Sequence, residues 1–443
     1  MSAKSPETIA GWGRVAVPGR ELRSEDLRRI TLDVPLSRGL GRSYGDASLP
    51  PPSRPVVANT TLADRLLGFD PETGVLRAEA GLSLVELHRV LLPRGFFVPV
   101  TPGTQFVTLG GAVAADVHGK NHHVAGCFGA HVLSLTLRVA DGRVLRCSRD
   151  KEPDLFRATL GGMGLTGHVL EVEFRMERVP SPWIAQESER IPNIDAFLEA
   201  LDTAARQWPF TVGWLDCLAR GGSMGRGILI KGRWASAAEA PKEFPTPLKR
   251  PTVPFEMPEI ALSPMNVRAF NEALYRSHLP RVKRGIAHPQ SFFYPLDAIG
   301  HWNRLYGRRG FTQYQCVIPR AAGPEGVRSF LDTLTASGAA SFLAVIKDCG
   351  DEGLGLLSFP KPGISIPLDI PIRDGTQALV DKLNEKVIAA GGRIYLAKDN
   401  FTRPEHFRAM EPRLPEWQRI RRHWDPENRL KSRQSIRVLG DPA

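Results

Sequence analysis

The chain has 443 residues, 42% hydrophobic and 24% charged, ordinary globular values that exclude disorder as the dominant state. No apolar run reaches the ~18 residues of a membrane-spanning helix, and five cysteines without CxxC spacing argue against a disulfide framework or a structural zinc site. With 58 Lys+Arg against 47 Asp+Glu, the net charge is +11, which leaves nucleic acid, an anionic membrane and a phosphorylated substrate open as partners.

In chain order, the first third alternates short strands and helices. Residues 75–79 read as a strand, and Ser83 opens a helix with Glu86 as a capping box. Residues 133–147 form two alternating segments around Asp141-Gly142, a hairpin signal. Residues 167–175 alternate again, and Pro180-Ser181-Pro182 punctuates the block. A second region begins near residue 183. Residues 193–207 predict a helix, and the seven prolines between 241 and 264 predict a mobile loop, extending over about 241–290. Then come a strand at 311–318, a helix at 325–336, strands near 341–347 and 364–370, and a helix at 376–390 stopped by Gly391-Gly392. The tail from 404 is helical in character, aromatic and basic.

Two glycine-rich stretches stand out, Arg38 to Asp46 and Pro102 to Ala112. Backbone that approaches a pyrophosphate closely wants glycine, because a Cβ would block it. Neither stretch has the full dinucleotide or Walker fingerprint, so tight turns remain an equal reading on spacing alone. A further pair, Gly161-Gly162, shifts the balance toward a bound dinucleotide. Nearby, Asp116-Val117-His118-Gly119-Lys120-Asn121-His122-His123 groups three histidines. His118 and His122 have i,i+4 spacing, but Gly119 and Asn121 disfavour a helix and no acid completes a ligand set, so no metal is expected.

These residues carry a resemblance. The segment 39–46 (GLGRSYGD), Pro102-Gly103-Thr104, Gly110-Gly111-Ala112, the loop 116–123 (DVHGKNHH) with 125–129, the segments 161–167 and 293–297, Gln313-Tyr314-Gln315 and 395–399 resemble the FAD-dependent decaprenylphosphoryl-β-D-ribose 2′-oxidases. That family belongs to the vanillyl-alcohol-oxidase-type flavoproteins. The resemblance implies an α+β fold: a two-part FAD-binding domain of the PCMH type, residues 1–180 and 394–443, with an inserted substrate domain, 181–393, built on an antiparallel sheet. It implies FAD held by Ser37, Arg38, Gly39, Leu40, Gly41, Arg42, Ser43, Tyr44, Gly45, Asp46 and Ala47. Gly103, Thr108, Leu109, Gly110, Gly111, Ala115, Asp116, Val117, His118, Val169 and Tyr395 join them. Where relatives attach flavin through a histidine this chain has Arg42, so the FAD is expected to be non-covalent.

The implied chemistry is oxidation of the 2′-hydroxyl of a polyprenylphosphoryl ribose, the first half of an epimerisation completed by a separate NAD(P)H-dependent ketoreductase. Lys398 is the expected base or hydrogen-bond partner at the reacting hydroxyl, with His118 as rival base or donor to the flavin edge. Tyr44, Gln313 and Gln315 would order substrate and flavin, the two glutamines sharing one strand face. Lys120 is expected to meet the substrate phosphate and Trp214 to wall the pocket. Ser365-Ile366-Pro367 replaces the Asn-x-Cys of mycobacterial members, so Ser365 and Pro367 are expected beside the substrate without a thiol. The other readings are a flavin oxidoreductase of a soluble alditol, aldonolactone or hydroxy acid, and a basic module binding nucleic acid or membrane. With no apolar leader in Met1 to Arg14, a cytoplasmic protein touching anionic membrane is expected, and nucleic acid is not.

Overall fold

The computed structural model describes residues 7–339 and 341–443. The first part is built on a five-stranded antiparallel sheet whose spatial order is Val144–Ser148, Val132–Arg138, His168–Arg175, Val75–Glu79, Leu66–Phe69. The expected hairpin is its edge: Arg138 pairs with Val144, and Gly142 takes the left-handed conformation (φ +91°) that the turn requires. A parallel sheet of three short strands, Arg20–Arg23, Val56–Asn59 and Ser37–Arg38, delivers the first glycine-rich stretch from its last strand. Helix Leu84–Leu91 starts where expected. Ser83 accepts the Glu86 amide, but the Glu86 carboxylate turns outward to Arg89, so only half of the capping box forms.

The second part is an eight-stranded antiparallel sheet. Its order is Val282–Ala287, Ile184–Ile191, Gly227–Trp234, Phe210–Leu215, Val345–Cys349, Gly363–Pro371, Phe311–Pro319, Arg393–Ile394. Helices Ile194–Ala205, Gly323–Ser337 and Thr376–Ala389 pack on it through their apolar faces. The first has Asn193 as N-cap and buries Ile194, Phe197 and Leu201, each side chain contributing roughly 1.5–3 kcal/mol by leaving water. Strands 311–319 and 363–371 are buried along nearly their whole length and carry the floor of the site.

Two expectations fail here. The strand expected at 341–347 starts at Val345, because Ser341 folds back on its own backbone, donating to the Leu343 carbonyl and accepting its amide. The loop expected over about 241–290 is irregular only in its first half. Pro264–Ser277 is a helix capped by Ser263, with Pro264 at its first position, where proline's missing N–H costs nothing. Val282–Ala287 is an edge strand of the large sheet. The proline-rich first half is tied down through its backbone: Arg304 donates to the Val253 and Pro254 carbonyls and Trp183 to that of Glu243.

The tail forms helices Pro404–Met410 and Leu414–Trp424. Trp417 is fully buried and donates to the Ala158 carbonyl (2.9 Å), fastening the tail across the first part.

Candidate active site

A single cavity of about 880 Å³ runs between the two parts. Its upper wall is glycine-rich backbone. Thr108 caps the short helix Leu109–Ala114 by accepting the Gly111 amide, and Gly111 itself is exposed to the cavity. The amides of Leu40, Gly41, Arg42 and Ser43 donate to no acceptor among the described residues, so this loop presents a row of free N–H groups. Gly41 holds a left-handed conformation (φ +63°), and a Cβ on Gly39 would strike the Thr108 side chain. Such a cradle suits the pyrophosphate of a dinucleotide. Arg42 stacks its guanidinium 4.2 Å from the Trp12 ring.

The lower wall is polar and cationic. Lys398 places its ammonium 3.9 Å from the centroid of the Tyr44 ring. The two loops that carry them are joined by a hydrogen bond from the Tyr44 amide to the Ala397 carbonyl (3.0 Å). Burial, reinforced by Lys347, pulls the Lys398 amine down to about 7, against the opposing charge of Asp369. Burial likewise lowers Lys120 to about 7; its ammonium donates to the Phe293 carbonyl (2.9 Å). Lys347, which sequence reasoning missed, lines the same cavity and is also depressed by burial.

Gln315 donates from its amide nitrogen to His118 Nε2 (2.9 Å) and to Ser365 Oγ (3.0 Å). That arrangement leaves the imidazole hydrogen on Nδ1, which is buried and has no partner among the described residues. Burial and the charges of Lys347, His122 and Lys398 hold His118 well below the usual histidine range, so it is neutral at pH 7. Its ring lies 5.1 Å from that of Tyr395, whose hydroxyl donates to the Ala115 carbonyl. An orphan donor beside a glycine cradle fits a flavin edge.

Of the expected site residues, Ser37 through Tyr44, Ala47, Gly103, Thr108, Gly110, Gly111, Ala115, Val117, His118, Val169 and Tyr395 line this one cavity. So do Lys120, Trp214, Gln313, Gln315, Pro367 and Lys398. Gly45, Asp46, Leu109, Asp116 and Ser365 do not, and each instead supports the wall. A Cβ on Gly45 would lie 2.0 Å from the Asp399 carbonyl oxygen. Asp46 is held by Arg437, and Leu109 is core. Asp116, at φ +38°, accepts from the Gly129 amide (2.7 Å) and from Ser358, fixing the turn that carries His118. Ser365 lies under Gln315. Sequence reasoning also passed over Asp369, fully buried, which accepts from Gln313 (2.6 Å) and the Tyr306 hydroxyl (2.8 Å). The signal was available: 365, 367 and 369 are one face of one strand.

Comparison with known proteins fits this geometry. Residues 34–148 match the FAD binding domain family model, and they hold the glycine cradle. The chain is 34% identical over 453 residues to the decaprenylphosphoryl-beta-D-ribose oxidase of Mycolicibacterium smegmatis, covering 97% of each chain. It belongs to the decaprenylphosphoryl-ribose oxidase family. An uncharacterised protein of Streptomyces coelicolor is 33% identical over 78% of this chain and 97% of its own. The L-gulonolactone oxidase of Mus musculus is 31% identical over only 31% of this chain and 32% of its own. The protein is an FAD-dependent oxidoreductase acting on an alcohol group.

Proposed function

We propose that this oxidoreductase converts the 2′-hydroxyl of a polyprenylphosphoryl-β-D-ribose to the 2′-ketone, and that a separate NAD(P)H-dependent short-chain ketoreductase completes the epimerisation to an arabinose donor for cell-envelope polysaccharide. The observation that carries this reading is the set Lys120, Lys347 and Lys398 around one cavity beside the glycine cradle. A neutral alditol or lactone has no charge for Lys120 and Lys347 to meet, whereas a sugar phosphodiester does. The M. smegmatis relative is named for such a substrate.

FAD, when bound, supplies the hydride acceptor. The cradle from Ser37 to Ala47 and Thr108 to Gly111 would hold its pyrophosphate, and His118 Nδ1 and Tyr395 would meet the ring. Arg42 at the position of attachment keeps the cofactor non-covalent. Lys398, neutral above about pH 7, takes the proton of the reacting hydroxyl. His118 serves as donor rather than base, since its Nε2 is already engaged by Gln315. Tyr44, Gln313 and Gln315 fix the sugar, Lys120 holds the phosphate, and Trp214, its indole tied to the Phe342 carbonyl, walls the pocket. In this reading FAD belongs to residues 1–180 with 394–443 and 181–393 is the substrate domain, with Tyr44, Lys120 and Lys398 reaching the substrate from the FAD side.

Membrane contact is part of the same reading. No helix among the described residues is long and apolar enough to cross a membrane. The segment 244–299 carries exposed Phe255, Ile260, Met265 and Leu279 beside its lysines and arginines, and it supplies Arg250, Leu274 and Ile299 to the cavity wall. That composition suits an anionic bilayer delivering a lipid.

Incubation with a polyprenylphosphoryl ribose and an electron acceptor should yield a product lighter by two hydrogens. Lys398→Met should lower turnover at least 100-fold while retaining FAD. Full activity of that variant would remove Lys398 from the chemistry.

A further inference from the structure

Two arginines reach the cavity without an anion to meet. Arg42 donates from Nη1 to the Leu40 carbonyl (3.0 Å), and Arg250 donates from Nε to the Asp297 carbonyl. Neither has another acceptor or an ion pair among the described residues, and both line the cavity. One aromatic ring carries both: their guanidinium carbons lie 5.6 Å (Arg42) and 4.3 Å (Arg250) from the centroid of Phe106, and Trp12 backs Arg42 from 4.2 Å. Other arginines around the site are paired, Arg38 with Glu21 and Arg437 with Asp46 and Asp399. The carboxylate whose charge reaches both Arg42 and Arg250 is Asp297. Its oxygens accept from the Thr104 hydroxyl (2.7 Å) and the Gln105 amide (2.8 Å), and it forms no ion pair with either guanidinium. Two charged forks with unused donors on one wall make a site for an anion.

That wall is continuous with the chemistry. Tyr44, whose ring carries the Lys398 ammonium, is two residues from Arg42 in the same loop. Its ring lies 6.5 Å from Trp302, and Trp302 lies 5.9 Å from Trp12, which backs Arg42. At the far end Arg250 is exposed, on the segment that shows Phe255 and Ile260 to solvent. In a ribosyl phosphodiester the phosphorus is joined through one oxygen to C1′, the carbon next to the reacting C2′. Its anion therefore sits close to the base, between the sugar and the lipid.

We propose that Arg42 and Arg250 form a clamp for the phosphodiester of the lipid-linked sugar, and that this clamp makes the enzyme select a phosphorylated substrate. The proposal rests on the reading of the substrate as a polyprenylphosphoryl ribose. Guanidinium forks match the two non-bridging oxygens of a phosphodiester, and their charge does not titrate near neutral pH. Lys120 differs, because burial pulls it down to about 7 and one of its donors is engaged by the Phe293 carbonyl. Its charge is only partly present at neutral pH, so the arginines carry the permanent share. Arg42 comes from the first part of the molecule and Arg250 from the second, so the bound phosphate joins the two across the sugar.

Arg250→Gln keeps a donor for the Asp297 carbonyl and loses the charge, whereas Arg250→Lys keeps a charge. With the polyprenylphosphoryl ribose and an electron acceptor, KM of Arg250→Gln should rise by about 10-fold or more, with a smaller fall in kcat. Its kcat/KM should depend less on salt than that of the wild type, its FAD content should be unchanged, and Arg250→Lys should recover most of the loss. A merely structural tie to the Asp297 carbonyl would leave Arg250→Gln at the wild-type KM. Arg42→Gln should raise KM at least as much, and it serves alone if the Arg250 variants do not accumulate. An unchanged KM in folded Arg250→Gln overturns the clamp and leaves the substrate assignment standing. Loss of FAD from Arg42→Gln, with the KM of Arg250→Gln unmoved, assigns Arg42 to the cofactor and overturns the clamp as well. Failure of the wild type to oxidise the polyprenylphosphoryl ribose overturns the substrate assignment, and this proposal with it.

Discussion

Side-chain identity explains most of what this site can do. Lys398 was expected at the reacting hydroxyl chiefly from the family resemblance, since the residue alone reads equally as a solvated lysine after a strand; it lines the cavity together with Lys120 and Lys347. The glutamines at 313 and 315 looked equally suited to an exposed strand edge. Their strand is instead buried throughout, and they bond Asp369, His118 and Ser365. What residue type could not show was which polar groups stand behind the wall. Asp116 and Asp46 read as cofactor ligands, yet their carboxylates are spent on Gly129, Ser358 and Arg437. Pro367 gives the sharpest prediction at this scale. It lines the cavity at the position where the resemblance implies a cysteine in mycobacterial members; all five cysteines here are buried, and none lines the cavity. Nitroaromatic inhibitors that trap that thiol should form no adduct, and intact-protein mass spectrometry after turnover should show unmodified chain. An added inhibitor mass would contradict this.

Elements were legible where periodicity and turn chemistry agreed. The Asp141-Gly142 hairpin, the helix behind Asn193 and the strand over 311–319 all appear near their expected bounds. Where a local bond diverts the chain, as at Ser341, or where proline marks a helix start rather than a loop, as at Pro264, pattern alone misleads. Long-range joins between elements were the least visible. Arg437, in the last turn of the chain, bridges Asp46 and Asp399, and Gln434 donates to the Leu396 carbonyl (2.7 Å). The C-terminal segment thereby presses the Lys398 loop onto the Tyr44 loop. Arg437→Met should leave two carboxylates facing each other without their cation, at a cost of about 3–5 kcal/mol, and should depress kcat more than KM. Thermal unfolding and steady-state kinetics would check both; a variant with wild-type stability would show that the bridge contributes nothing.

For the whole molecule, the net charge of +11 admitted several partners from composition alone. The fold separates its contributions. Arg281 and Arg284 lie on or beside the edge strand but are paired with Glu189 and Glu187, while Lys283 reaches the Ser277 carbonyl. Phe255, Ile260, Met265 and Leu279 stand exposed in the same region. Neutralising Arg281, Lys283 and Arg284 together should still weaken binding to anionic vesicles, each cation near the surface being worth about 1 kcal/mol at most, and should leave FAD content intact; unchanged sedimentation with vesicles would return this charge to a solubility role. The central claim concerns substrate, and flavin absorbance reads it directly. Under anaerobic conditions, the oxidised flavin band of the purified protein should bleach on addition of a polyprenylphosphoryl ribose and stay unchanged with free ribose, alditols or aldonolactones. Equal bleaching by soluble polyols would contradict the account.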